Sequence, residues 1–404
     1  MKKLLIVATT AVVLAYLFYC PLPDGIADRF YVRFLYAERK ISKFVAKSSV
    51  FLGLNDPVGV LRAIPRLKTW RVTRGCDGEP TIVHSDTTFD GVNVRVYEPV
   101  VKSEKPIPGM VYIHGGGWTI LSTDSYHYLT RYMAARLGIV LVSVDYRLSP
   151  EHPFPAPIED CIKATVCFLQ HAKDYNVDPT RIAVVGDSAG GNFAAATAGL
   201  LTFDDRYQDM GLPKLKFQGL IYPALQALDF LTPSYHHGDI FLLTQDIMTK
   251  FWSWYLTGDL RYAEAMKTNN HTCPHVKKKH GLDYSLIPDK FIQNGYNPQR
   301  SQVGGSPEIC ENICETLLNP DFAPLMRSDL RGLPPAYVLT AEFDVLRDDG
   351  ILYAKRLEQA GVPVTWKNYE SGFHGIFALS VGKAALDVGR QCMNDFIEFC
   401  KVNL

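Results

Sequence analysis

The sequence predicts an α/β fold: a mostly parallel central sheet with helices on both faces and a helical cap. Three observations carry this. From about Thr81 onward, short runs rich in Val, Ile and Tyr alternate with helical periodicity, the rhythm of strands and helices laid in turn along one sheet. The run 139–144 is apolar without alternation, as a strand covered on both faces must be. A glycine-flanked serine, Gly186-Asp187-Ser188-Ala189-Gly190, falls between one such run and an alanine-rich helical stretch.

The length, 404 residues, can bury one large core, which favours one domain with an appended cap. The formal net charge is zero, and no basic block alternates with aromatics, so a nucleic-acid partner is not expected.

Residues 1–23 read as a signal-anchor. Met1-Lys2-Lys3 precedes an apolar run from Leu4 to Cys20, about the shortest able to cross a bilayer, and Pro21 and Pro23 end it. A cleaved signal peptide is the rival reading. Tyr16, Phe18 and Tyr19 stand where a small-x-small cleavage site belongs, which favours an uncleaved anchor. Lys2 and Lys3 then hold the tail in the cytosol, although Arg29, Arg33, Arg39 and Lys40 pull against that orientation. Asn270-His271-Thr272 is an N-glycosylation acceptor triplet, meaningful if it meets the secretory lumen. The nine cysteines form no C-x-x-C pair and no zinc spacing; Cys310 and Cys314 are the most obvious local pair, with two unbonded thiols on one helical turn as the alternative.

Residues 24–80 read as an N-terminal cap region and 81–404 as the catalytic domain, with a cap insertion at about 225–331. Within it, 92–97, 109–113, 139–144, 181–185, 218–222 and 336–340 read as strands, with Pro106-Ile107-Pro108 as the break between the first two. Helices are predicted at 156–171 and 348–359. In the insertion Thr244 can cap a helix on which Ile247, Phe251, Trp254 and Tyr255 share one face, with Met248 and Trp252 opposite. That helix is either buried under the cap, or lines an apolar tunnel, or touches a bilayer.

The chemistry is concentrated at Ser188. A sharp turn from strand to helix lifts a hydroxyl clear of the sheet, and flanking glycines remove the side chains that would clash there. Upstream, His114-Gly115-Gly116-Gly117-Trp118 follows a strand, where an oxyanion hole needs backbone amides. The loop Gly115, Gly116, Gly117 together with Ala189 is assigned to that hole: Gly116, Gly117 and Ala189 give amides, and Gly115 makes the turn. His114 precedes the serine and reads as a structural hydrogen bonder.

The chain order Ser, acid, His then prunes the candidates. His236, His237, His271, His275, His280 and His374 follow Ser188. Only His374 lies beyond the late strands, in the loop Glu370-Ser-Gly-Phe-His374-Gly; the others read as exposed cap histidines. Asp344 stands at the carboxyl end of a predicted strand, where ligand-side residues of open α/β sheets gather. Glu342 is offset from that tip, and Asp348 and Asp349 read as first-turn residues of the next helix, favoured by its dipole. The triad is thus Ser188 as nucleophile, His374 as base and Asp344 as orienting acid, working through an acyl-serine intermediate with no metal or cofactor.

These motifs, with Asp145-Tyr-Arg-Leu-Ser-Pro-Glu-His-Pro-Phe-Pro-Ala156, Asp344-Val-Leu-Arg-Asp-Asp-Gly350, Gly372-Phe-His-Gly375 and Tyr222-Pro-Ala-Leu-Gln226, resemble the hormone-sensitive-lipase group of the α/β-hydrolase fold. More closely they resemble the arylacetamide deacetylase and neutral cholesterol ester hydrolase family. The likeness spans nearly the whole chain and is weakest at about 277–317. It implies a single-pass type II protein of the endoplasmic reticulum membrane, with a lumenal domain acting on esters and aryl-amides of apolar acyl groups. Arylacetamide deacetylases typically carry cysteines where this chain has Thr119 and Ala341, which implies an unstapled site here. A lipid-ester lipase, a peptidase and a hydrolase-fold binding protein without catalysis remain as alternatives.

Overall fold

The computed structural model describes residues 2–53, 58–63, 81–238, 243–292, 296, 304–382 and 385–404. Its strands are β1 (Ile82–Phe89), β2 (Val92–Pro99), β3 (Ile107–Ile113), β4 (Val140–Val144), β5 (Val177–Asp187), β6 (Gln218–Ile221), β7 (Ala336–Phe343) and β8 (Val364–Phe373). They form an eight-stranded sheet in the order β1-β2-β4-β3-β5-β6-β7-β8. β1 and β2 are joined as a hairpin through Asp90-Gly91, both at positive φ, the backbone that matches strand twist in a two-residue turn. β1–β2 and β2–β4 pair antiparallel and every later pair is parallel.

The principal helices are α1 (Lys2–Phe18), α2 (Arg29–Phe51), α3 (Thr123–Leu137), α4 (Ala156–Gln170), α5 (Ala189–Phe203), α6 (Gln245–Thr257), α7 (Pro307–Leu318), α8 (Arg347–Gln359) and α9 (Asp387–Asn403). Alternation along the strands feeds two cores. Val111, Ile113, Ile182 and Val184 enter one with α4, α5 and α8, whereas Met110, Tyr112, Ala183 and Val185 enter the other with α3 and α9. Both faces are therefore covered, which is why the middle strands are apolar throughout. The chain leaves β3 to one side for β4 and returns to the other side for β5. Where connections diverge in this way a crevice opens at the carboxyl ends of the strands. The motif residues sit there.

Strand tips differ from the sequence reading in several places. β3 begins at Ile107 and includes Pro108, at a register shift between Ile107 and Gly109; a proline without an amide proton is tolerated at such an irregular start. β5 is longer than predicted because its first half pairs at Ile107–Val177 beyond the apolar stretch. β8, whose polar sequence carries no strand pattern, runs to Phe373, so Glu370–Phe373 is strand and not loop. The 24–80 cap reading falls in part on 54–57 and 64–80, which lie outside the described residues.

The chain between β6 and β7 holds α6 and α7. Thr244 occupies the N-cap position of α6, but its side chain makes no capping bond; only its carbonyl accepts, from Ile247 and Met248. The faces of α6 are also redistributed: Met248, Trp252 and Tyr255 are buried while Ile247, Phe251 and Trp254 are half-buried. The expected Cys310–Cys314 pair does not form. Cys310, on the buried side of α7 with Ile313 and Leu317, is bonded to Cys273, with Cα atoms 5.7 Å apart, and Cys314 is free. The partner arrives from 37 residues upstream, a proximity that local spacing does not encode.

Among the described residues no helix is long and apolar enough to cross a membrane. α1, with 17 residues, rises about 26 Å, against about 30 Å of bilayer hydrocarbon.

Candidate active site

Ser188 links the end of β5 to α5 at φ 56° and ψ −119°, a strained backbone for a side-chain-bearing residue. The turn is held on three sides: the Ser188 amide donates to the Ile221 carbonyl at 2.8 Å, and the Ser188 carbonyl accepts from Asn192 at 3.1 Å and Ala224 at 3.2 Å. Asn192 reinforces this by donating from its side-chain amide to the carbonyls of Ala224 and Phe322, both at 2.9 Å. The glycines permit close approach. A Cβ at Gly186 would overlap the Gly190 carbonyl, and one at Gly190 would overlap that of Ile113. Gly191 faces Pro223, which a Cβ would meet at 2.8 Å.

Register brings the other two triad residues alongside. Phe343 of β7 pairs with Phe373 of β8 across a shift in register, so the residues that follow them, Asp344 and His374, leave adjacent strand tips together. His374 Nδ1 lies 2.8 Å from Asp344 Oδ2, and His374 Nε2 lies 2.9 Å from Ser188 Oγ. Asp344 is fully buried, and its other oxygen accepts from the Leu346 amide at 2.9 Å. With Nδ1–H donating to the carboxylate, Nε2 is left as the acceptor facing the serine hydroxyl. The Tyr222 ring packs beside the imidazole at 4.9 Å.

The competing acids do other work. Arg347, itself buried, pairs with Glu342 at 2.8 Å and with Asp348 at 3.1 Å. Asp348 accepts from the Ser234 amide, and Asp349 from the amides of Leu225 and Gln226. Both aspartates thus tie the start of the cap insertion to α8 and are more than dipole partners. Burial pushes the Asp349 carboxyl up to about 8, against the lowering by those amides. His271, read as an exposed cap histidine, is fully buried and lies 2.8 Å from the Ala227 carbonyl through Nε2. Its loop folds inward between segments far apart in sequence.

In the glycine loop the Gly115 amide donates to Asp187 Oδ1 at 3.0 Å and to Tyr126 Oη at 3.3 Å. It is committed to the turn. Asp187 also accepts from Tyr112 at 2.9 Å and from Tyr126 at 2.7 Å; burial raises its pKa, and these donors oppose the rise. Sequence reading passed over Asp187, although its place beside the serine and the tyrosines on β3 and α3 was visible. Gly116 at φ 113° and Gly117 at φ 57° adopt backbone that favours glycine. The amides of Gly116, Gly117 and Ala189 have no hydrogen-bond partner among the described residues. His114 donates to the Gly115 carbonyl at 2.7 Å and stacks on Tyr146 at 4.3 Å, while the Tyr146 hydroxyl donates to the His114 carbonyl. Burial lowers the His114 pKa, which suits a neutral structural ring.

Two further contacts fix the loop. Arg62 donates to the carbonyls of Thr119 at 2.8 Å and Ser149 at 2.9 Å and forks onto Glu151 with both bonds at 2.7 Å. The clamp engages Thr119 by its backbone carbonyl. Above the loop α6 closes the crevice: Trp118 stacks on Tyr255 at 4.7 Å and meets Trp252 at 4.3 Å, while Phe322 stacks on Tyr255 at 4.9 Å. Phe251 lies so close to Gly117 that a Cβ there would overlap its ring. Trp118, Trp252, Tyr255 and Phe322 are fully buried, so the loop and α6 share one aromatic core, and the half-buried Phe251 is the ring next to Gly117.

The arrangement can transfer an acyl group: a hydroxyl, a base oriented by a buried carboxylate, and unpaired amides beside them. The alpha/beta hydrolase fold family matches residues 110–279 and 308–378. Neutral cholesterol ester hydrolase 1 of Mus musculus is 39% identical, covering 96% of this chain and 96% of its own length. Arylacetamide deacetylase of Bos taurus is 38% identical, covering 97% of both chains. Among solved structures, an esterase of Pyrobaculum calidifontis superposes with a TM-score of 0.64 at 28% identity, covering 85% of this chain and 92% of its own. A thermostable esterase of Pseudomonas putida ECU1011 gives 0.64 at 26%, covering 90% and 96%. Ser188, His374 and the glycine loop thus lie in a carboxylic ester hydrolase, and the chain belongs to the arylacetamide deacetylase and neutral cholesterol ester hydrolase family of the α/β-hydrolase fold.

Proposed function

We propose that the protein is a membrane-anchored serine hydrolase that cleaves apolar carboxylic esters through an acyl-serine intermediate. The unbroken line from Asp344 through His374 to Ser188, at 2.8 and 2.9 Å, carries the reading. His374 Nε2 takes the Ser188 proton as Oγ attacks the ester carbonyl, and Asp344 stabilises the imidazolium that forms. The amides of Gly116, Gly117 and Ala189 face the developing oxyanion; Gly115 supports them through Asp187. His374 then gives the proton to the leaving alcohol, and water repeats the sequence on the acyl-serine.

The half-buried Phe251 beside Gly117, backed by the aromatic core of Trp118, Trp252 and Tyr255, favours apolar acyl groups. Relatives named for cholesterol esters and for arylacetamides make long-chain lipid esters the first substrate class to try and aryl-amides the second. Anchoring by α1 is supported by its apolar side chains, such as Leu5, Val12 and Tyr16, being exposed. The location that fits is the endoplasmic reticulum membrane with a lumenal catalytic domain. Asn270 is exposed and thus open to a glycan.

The test is labelling by a fluorophosphonate, competed with short esters, aryl-amides, triacylglycerols and cholesteryl esters. Ser188→Ala is expected to lose labelling and at least about a thousandfold of the turnover of a short p-nitrophenyl ester while keeping its melting temperature. Retained turnover in that variant overturns the mechanism. An endoglycosidase shift that disappears in Asn270→Gln checks the lumenal placement.

A further inference from the structure

We propose that α2 is a second membrane-binding element, lying in the plane of a bilayer surface and holding the mouth of the active site against the lipid. This rests on the anchoring by α1 proposed above.

α2 packs on the protein core mainly along one side, although Ala37, within the other side, is buried as well and α1 also packs on the helix. Val32 is fully buried, and Tyr31, Leu35 and Tyr36 pack on the core shared with α3 and α9. The opposite side carries Phe30, Phe34, Ile41, Phe44 and Phe51, a spacing that keeps all five on one stripe of a 3.6-residue helix. Phe30, Phe44 and Phe51 are 80%, 72% and 89% exposed. A stripe of this size facing water marks an interaction surface.

Charge selects the occupant. Along one edge of the stripe α2 carries Arg29, Arg33, Lys40 and Lys47, with Arg39 and Lys43 turned away from it, and its one acid is Glu38. A phenylalanine stripe flanked by cations is the pattern of a helix seated between acyl chains and phosphate headgroups. A second copy docked by the same stripe would instead bring two like-charged flanks to one seam. Lys40 also donates to the carbonyls of Tyr16 at 2.6 Å and Tyr19 at 3.0 Å and lies over the Tyr16 ring. The end of α1 and the basic flank of α2 therefore sit at one level, where tyrosine and lysine concentrate at membrane interfaces.

The position of α2 links this surface to the chemistry. Just before it, the Ala27 amide donates to the Ser371 carbonyl at 3.1 Å, three residues ahead of His374. Near its other end Lys43 feels the charges of Asp246 and Lys250 on α6, the helix whose Phe251 covers Gly117. α2 thus begins beside the strand that leads into His374, and its Lys43 comes within electrostatic reach of the start of α6. A bilayer against its outer stripe can pass apolar esters sideways into the crevice.

The full-length protein is mixed with vesicles of phosphatidylcholine containing a minority of phosphatidylserine. It is expected to float with them, and in Phe44→Trp the added emission is expected to fall by about half with lipids brominated near the carbonyl end of the acyl chain. Flotation without that quenching overturns the proposal and leaves α1 as the anchor; no flotation overturns the anchoring as well. In the triple variant Phe30→Ser, Phe44→Ser, Phe51→Ser, hydrolysis of a long-chain ester embedded in the vesicles is expected to fall about tenfold, with a water-soluble short ester cleaved within about twofold of the parent rate. An unchanged vesicle rate overturns it, as does a loss of self-association without a change in that rate, which assigns the stripe to a second copy.

Discussion

Asp187 shows how one side chain supports several others. Its two oxygens receive the hydroxyls of Tyr112 and Tyr126 and the amide of Gly115, so the glycine loop is hung from the residue next to Ser188. Asp187→Asn replaces one acceptor oxygen by a donor that faces these same donors. Leaving a buried donor unpaired costs about 1–3 kcal/mol. The expected result is a lower denaturation midpoint together with at least about a tenfold fall in kcat/KM, since the glycine-loop amides proposed to hold the oxyanion lose their support. Denaturant titration and short-ester kinetics measure both, and an unchanged kcat/KM removes Asp187 from the positioning of the loop. The triad was legible in the sequence because strand tips and chain order leave few choices. Asp187 was not, because its role depends on where Tyr112 and Tyr126 point.

Among the elements, α7 and the short helix Pro274–His280 are joined by the disulfide Cys273–Cys310. For a sequence separation of 37 between the cysteines, loop-closure entropy gives about 4 kcal/mol as the stabilisation at stake. Cys273→Ser with Cys310→Ser is expected to lower stability by about that amount or less. Ser188 labelling at low temperature should survive, because neither cysteine belongs to the triad; a midpoint equal to that of the parent refutes the contribution. The apolar character of α6 was readable, but its orientation was not. Apolar residues surround it, so periodicity alone cannot say that Trp252 and Tyr255 turn inward to meet Trp118.

For the whole molecule, His271 couples folding to pH. Its ring is fully buried against the Ala227 carbonyl, and burial lowers its pKa to about 4, against about 6.5 when unfolded. Between these values the unfolded chain binds the extra proton, so stability rises with pH across the window and is lost as pH falls through it. The scale is on the order of 3 kcal/mol. His271→Gln is expected to flatten the stability profile between about pH 6.5 and 4; equilibrium unfolding at a series of pH values measures this, and an unaltered slope assigns the acid sensitivity to other groups. The Asn270-His271-Thr272 triplet also divides by orientation, with Asn270 exposed and both following residues buried.

The sequence by itself determined the sheet order's ingredients, the serine turn, the glycine loop and the acid-then-histidine succession. These depend on local backbone geometry and on the direction in which a parallel sheet is threaded, and both are written in nearest neighbours and chain order. Tertiary structure decided what depends on distant segments meeting: the Asp187 cradle, the Arg62 clamp on Thr119, the pairing of Cys310 with Cys273 and the inward turn of His271. It also decided that α2 presents two apolar sides. Its sequence shows the aromatic residues, but only packing shows that Val32 is covered by the protein while Phe30, Phe44 and Phe51 are left facing outward.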